Sequence, residues 1–379
     1  MDTIIRAPRV LLPDAKCSME KWAVVACDQF TSQKEYWQET ETITAGEPST
    51  LNIIYPEAWL SQGDARIAKI NETMKEYLSG VLTREVNGYI LVERETTDGK
   101  RLGLMAEIDL EAYDFMPGAK PRIRATEGTI LERVPPRVKI REGAPVELPH
   151  VMLLADDPDK TLIEPLYEKR DSFELLYDFD LMQGGGHIRG WKVDSETVEE
   201  TALKLETEGM LFAVGDGNHS LAAARQCYLN NPNPLARYAL VEIVNLYDPA
   251  LVFEPIHRAI FGADGEKFLN DFANAFPKGD KVTLIVGDKE ESFDAVLADI
   301  QPFVDQWIRE NGAEVDYIHG ADVVRKLAAE GAVGMLLQVL NKKELFPQVR
   351  AYGALPRKAF SMGHANDKRY YLECRRIKP

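Results

Sequence analysis

The sequence predicts a mixed α/β fold in which mixed sheets are flanked by helices, and three observations lead there. Apolar runs of strand length alternate with segments of helical periodicity along the chain. Glycine-bearing turns separate paired apolar runs at two places, as hairpins require. With 379 residues, 45% hydrophobic and 28% charged, the chain can bury a substantial core and leaves little room for long disorder.

Taken in order, residues 22–27, WAVVAC, read as a buried strand that leads to Asp28, and Ser32 with Glu35 has capping-box spacing before a helix. Residues 62–86 have helical periodicity, and 88–109 carry two apolar runs around Asp98-Gly99, a hairpin pattern. Residues 116–149 are rich in Pro and Gly and suit a connecting or site-forming segment better than a core helix. A strand is expected at 151–155, a helix at about 158–170, a second hairpin around Gly184-Gly185-Gly186, and a helix from Ser195 to about 208. Then come a strand and glycine turn at 211–217, a helix after it, strands at 237–246 and 251–258, and further helix and strand patterns to the end. This divides the chain into 1–118, an N-terminal α/β segment with a hairpin; 119–260, a core with a glycine-centred turn; and 261–379, a C-terminal α/β segment.

The formal charge of −16 disfavours a broad nucleic-acid or anionic-lipid footprint, which needs clustered Lys and Arg. Local groups decide whether a nucleotide binds, because screening cuts exposed charges off beyond about 8 Å. Cys17, Cys27, Cys227 and Cys374 show no paired spacing, and no run approaches the length of a membrane span. We expect a cytoplasmic protein with no signal peptide, no nucleic-acid partner and no membrane.

Residues 211–226, LFAVGDGNHSLAAARQ, carry the most chemistry. The first N–H groups of a helix lack partners and face anions favourably, so the turn Gly215-Asp216-Gly217-Asn218-His219-Ser220 suits a phosphate. Equally, Asp216, Asn218 and Ser220 can simply cap the helix. The turn is not a P-loop, and the triple glycine at 184–186 lacks the spacing of a dinucleotide fingerprint. A triad of Asp216, His219 and Ser220 is disfavoured, because neighbours at a helix start point in different directions.

Several fragments, in this order, resemble the bacterial and archaeal family called domain of unknown function 1015. They are the strand ending in Asp28, Glu127-Gly-Thr129, His187 with Trp191, Asp216-Gly-Asn-His219, Asp248-Pro249, Pro255-Ile-His257-Arg258 and Pro356-Arg-Lys358. That family is in turn similar, around this glycine turn, to the superfamily of ParB-type nucleotidases, sulfiredoxin and the free serine kinases, whose turn and helix start hold nucleotide phosphates. The resemblance implies a ParB/sulfiredoxin-like core with large additional segments. It also implies ATP or ADP with Mg2+ as cofactors, and a kinase-like transfer to a small hydroxylated metabolite such as a free amino acid. Asn218 stands where a His is usual, and Ser220 where an Arg is usual. A guanidinium fork contributes on the order of 1.5–3 kcal/mol and a hydroxyl about 1, so either another cation replaces it, with Arg258, Arg189, Arg124 and Lys358 as candidates, or the ligand is not the one the relatives bind.

In that scheme Glu127 or Asp216 is the base, Asp216 holds Mg2+, and His219 with Arg258 or Lys358 stabilises the transferring phosphoryl group. Gly215, Gly217, Asn218, Ser220 and Thr129 complete the phosphate contacts, and His257 and His187 line the pocket. Each has a plainer reading. His219 can be a histidine bonded to backbone at a helix start, Asp216 a turn residue, Glu127 a solvated loop residue, Arg258 the partner of an internal carboxylate, and His187 with Trp191 packing residues. A non-catalytic nucleotide or metabolite sensor is the rival reading, motivated by Ser220.

Overall fold

The computed structural model describes residues 4–194, 196–356 and 358–379. Ser195, the expected start of a helix, and Arg357 lie outside the described residues. The chain forms two compact units: Met1–Ala125 with Thr129–Leu251 and Gly363–Pro379, and Thr126–Gly128 with Val252–Met362. The boundaries expected near 118 and 260 are therefore corrected. A cut at 118 would separate strands that share one sheet, and the last residues return to the first unit.

Among the described residues the first unit holds a nine-stranded mixed sheet. Its strands are β1 (Ile5–Arg6), β2 (Tyr89–Thr96), β3 (Gly99–Asp109), β4 (Ile123–Ala125), β5 (Met152–Ala155), β6 (Glu174–Asp180), β7 (His187–Val193), β8 (Phe212–Asp216) and β9 (Tyr238–Asn245). The order is β6-β7-β2-β3-β9-β5-β8-β4, with β1 on β3. Among the described strands of this sheet, β9/β5 and β8/β4 pair in parallel and the other neighbours antiparallel. Both expected hairpins form: β2 pairs with β3 out to Thr96 opposite Gly99, and β6 pairs with β7 out to Asp180 opposite His187.

Side chains alternate across a strand. Ile90 and Val92 of β2 enter one apolar cluster with Trp22, Trp37 and Leu240, while Tyr89 and Leu91 enter another with Leu104, Phe212 and Ile243. Both faces are thus covered, which explains why these strands read as continuous apolar runs.

Helices of this unit include α1 (Lys34–Thr44), α2 (Gly63–Gly80), α3 (Val134–Glu142) and α4 (Asn218–Asn230). Four expectations are corrected. The Ser32/Glu35 capping box does not form, since α1 begins after Gln33 with no side-chain cap. The helix expected over 158–170 shrinks to Glu164–Glu168, because Asp157 accepts the N–H groups of Thr161 and Leu162 and holds that stretch as a turn. The helix expected from 195 to 208 is described only over Thr197–Leu203. The Pro-rich segment carries α3, whose prolines sit in its first turn, where no intrahelical N–H is needed.

Within the second unit, β10 (His257–Phe261), β11 (Lys278–Val286), β12 (Lys289–Phe293), β13 (Glu314–Ile318) and β14 (Val333–Leu337) form an antiparallel sheet in the order β12-β11-β14-β10-β13. Helices α5 (Gly265–Ala275) and α6 (Leu297–Asn311) contribute Phe268, Phe272, Val304 and Trp307 to its core. The apolar run at 251–258 divides between Phe253–Pro255 and β10.

Candidate functional site

Strand β8 ends on Asp216, and the chain turns through Gly217 into α4. Gly217 has φ +77°, and a Cβ there would lie 2.9 Å from the Val151 Cα, so the position demands glycine for conformation and for close packing. Glycine here lets the neighbouring backbone approach. Gly215 falls where the pairing of β8 with β5 shifts register, a bulge that re-aims Asp216.

The N–H groups of this turn are largely committed. Gly217 donates to Asp216 Oδ1 at 2.8 Å, while Ser220 and Leu221 donate to the Gly217 carbonyl at 3.0 Å each. The N–H of His219 has no partner among the described residues, and no side chain caps α4.

The side chains are held as follows. The Asn218 Oδ1 accepts from the Tyr113 hydroxyl at 2.7 Å, and its Nδ2 donates to Thr129 Oγ1 at 2.7 Å. The His219 Nε2 accepts the Ile130 N–H at 3.1 Å, which places any single ring proton on Nδ1. Burial first, then Arg137 and Arg133, pull the His219 pKa down to about 4. At neutral pH it is uncharged and brings no positive charge to a phosphate, and its Nε2 is bonded to backbone at the helix start, as in its plainer reading.

Asp216 meets Lys368 Nζ at 3.0 Å, each side chain about a quarter exposed at 24% and 22%. Burial opposes ionisation of Asp216, but Lys368 and His150 outweigh it and lower its pKa. Burial likewise opposes charge on Lys368, and Asp216 reverses the effect. With one carboxylate oxygen on the Gly217 N–H and the other on an ammonium, Asp216 does not fit the expected Mg2+ ligand. Lys368 supplies the positive charge there. Asp28 also acts on Lys368 and on His219 through its charge.

On the other side of the helix start, Ser220 Oγ lies 3.4 Å from His150 Nε2, and Tyr371 OH lies 2.8 Å from His150 Nδ1. The Tyr371 hydroxyl also donates to Cys27 Sγ at 3.0 Å. Burial, reinforced by Asp28, raises the Cys27 thiol to about 12.

The remaining expected residues are placed elsewhere. His187, on β7, is gripped by Asp180 and Asp178 of β6 at 2.5 Å each. Burial lowers its pKa less than those two carboxylates raise it. Trp191 packs edge-on against Tyr167. Arg189 binds Asp178 and Glu93, and Arg124 donates to the carbonyls of Pro121 and Gly209, so neither replaces the missing Arg.

Glu127, His257, Arg258 and Lys358 belong to the second unit. There Glu127 accepts the Ala359 N–H at 3.0 Å, and His257 Nδ1 accepts the Leu337 N–H at 3.1 Å. Arg258 is 0% exposed, with its guanidinium on Gln301 and on the carbonyls of Ile256 and Lys358. A fully enclosed guanidinium cannot reach a ligand, so its expected phosphate role is corrected. Lys358 is exposed.

Reading the letters missed Lys368, His150, Tyr371 and Arg137 as site residues. Only Asp28 had been singled out, and as the end of a strand. Lys368 and Tyr371 lie some 150 positions from Asp216, and only the fold joins them.

These features define a mixed α/β protein whose polar cluster gathers where strand β8 passes into a helix. The chain belongs to the family described as Protein of unknown function (DUF1015), whose profile matches residues 11–377. No curated protein sequence matches it. Among solved structures it is similar to a point mutant of free serine kinase in complex with AMP, with TM-score 0.43 and 12% identity over 72% of this chain and 92% of that one. A second mutant of free serine kinase, in complex with ADP, has TM-score 0.43 and 12% identity over 76% and 95%. SbnI from Staphylococcus aureus, with a C-terminal truncation, has TM-score 0.39 and 13% identity over 68% and 82%. Among the described residues, no helix is long and apolar enough to cross a membrane.

Proposed function

We propose that the start of α4 binds the phosphate of a nucleotide, ATP or ADP, and that the protein transfers a phosphoryl group to a small hydroxylated metabolite such as a free amino acid. One observation carries this reading: the unpartnered His219 N–H at the head of an uncapped 13-residue helix stands in a cluster with the partly exposed charge of Lys368. A helix end and a fixed cation together favour an anion. Ser220 Oγ adds a hydroxyl contact, and Arg133 adds positive potential, which answers the absence of the usual arginine.

Asp216 is tied to Lys368, so its role in this reading is to position that lysine. Asp28, whose Oδ1 accepts from the Gln29 Nε2 at 3.0 Å, is then the carboxylate suited to accept the proton of an acceptor hydroxyl. Binding without transfer is the second reading. It is favoured by the internal bonds that hold the Asn218 and His219 side chains.

Calorimetric titration with ADP, ATP and CTP, followed by 31P NMR of ATP with free amino acids, separates the two. Saturable binding with a new phosphomonoester supports transfer, and saturable binding alone supports the sensor. Failure of every nucleotide to bind sinks both.

A further inference from the structure

Beneath the first turns of α4 the first unit holds a half-open cavity of about 150 Å3. Its body is apolar, lined by Ile53, Met74, Ile140, Leu148, Ala224 and Leu240. One group of its lining residues is polar and mutually bonded: Ser220, His150, Tyr371 and Cys27. Packed interiors leave few voids larger than a water molecule, so a hole of this size ending in four polar side chains is shaped for a guest.

The lining restricts what the guest can be. Arg137 is ion-paired to Glu57, and Arg141 to Glu147, so the cations at the wall are already matched. Burial keeps Cys27 a thiol and Tyr371 a phenol. A charged head would lose its hydration without a counterion to restore it. A hydroxyl can both donate to and accept from the Ser220–His150–Tyr371 chain, since an imidazole between two hydroxyls passes a proton in either direction. The size follows from comparison: a dry cavity of similar volume admits benzene, about six heavy atoms.

We infer that this cavity takes a neutral alcohol with a compact apolar body, its hydroxyl set against Ser220 and His150, as a ligand distinct from the amino-acid acceptor of the transfer reading above.

The test uses the full chain without nucleotide, with benzyl alcohol, toluene and benzoate as probes and affinity read from protein NMR shifts. Benzyl alcohol should bind saturably, toluene roughly fivefold more weakly for want of one neutral hydrogen bond, and benzoate more weakly still. Ala224→Leu should fill the cavity and abolish binding. Because that variant can also fail to fold, Tyr371→Phe serves beside it and should bring the alcohol down to the affinity of toluene. No binding of benzyl alcohol to the wild type, toluene binding as tightly, or benzoate binding more tightly overturns the inference. Nucleotide titration is scored separately, so an alcohol that binds where ADP does not sinks the phosphate reading and leaves this one standing.

Discussion

Around Arg369 and Arg375 the first unit closes over its charges, whereas at Lys368, the adjoining residue, it leaves a quarter of the ion pair exposed. Arg369, 3% exposed, bonds Glu242 at 2.6 Å and Glu373, and Tyr177 donates to Glu373 at 2.6 Å. Arg375, 2% exposed, bonds Glu107 at 2.8 Å and Glu147 at 2.7 Å. Every one of these groups answers another within the fold. The cluster of Lys368, Asp216, Asp28 and His219 carries charge that faces outward in part, beside an uncapped helix. Charge that is paired and enclosed fixes geometry; charge that is partly open is what remains for a ligand.

The largest expected effect breaks the closed side. Arg369→Met strands Glu242 and Glu373 in the core and should cost about 3–5 kcal/mol in urea unfolding with nucleotide affinity per folded molecule unchanged. A loss under about 1 kcal/mol would show that the two regions do not differ in kind. On the open side, Lys368→Met should weaken ADP at least about tenfold, on the order of 1.4 kcal/mol, in calorimetry. Its melting temperature should move less than that of the Arg369 variant; the reverse order would assign Lys368 to structure.

A smaller effect is expected for His219→Ala. It leaves the Ile130 N–H without its acceptor, so stability should fall by about 1 kcal/mol, and ligand affinity should fall only through the loosened turn. An affinity loss exceeding the stability loss would return the ring itself to the site.

The smallest effect concerns pH. The folded pKa of His219, about 4, lies below the usual 6.5, so between these values the unfolded chain binds more protons than the folded one. The stabilisation is complete above pH 6.5 and is lost as pH falls toward 4. The difference in melting temperature between wild type and His219→Ala should therefore shrink from pH 7 to pH 4.5. Asp216, with a lowered pKa, adds a loss only at the acid end, below the ordinary carboxylate range. A gap that widens on acidification contradicts the neutral, buried ring.

Much of the fold was legible in the letters. Asp98-Gly99 and the triple glycine at 184–186 marked both hairpins because a reversal needs specific backbone conformations. Runs such as RYALVEIVNL declared strands because both faces of the sheet are covered. The Pro-rich α3 was hidden, since two prolines at a helix start look the same as two prolines in a loop. The turn at 215–220 was visible as a turn, but its occupants were not. Gly217 signalled openness where it serves tight packing against Val151, and Arg258 looked like a site cation where it is enclosed. Lys368, His150 and Tyr371 reach α4 from distant segments, and no local pattern announces a contact made across the whole chain.

The return of residues 363–379 to the first unit has a consequence for synthesis. While a ribosome is still making the second unit, Arg369 and Arg375 do not yet exist, so Glu242, Glu107 and Glu147 have only Arg101, Arg6 and Arg141 to answer them. These buried ion-pair networks are completed only when the final stretch emerges.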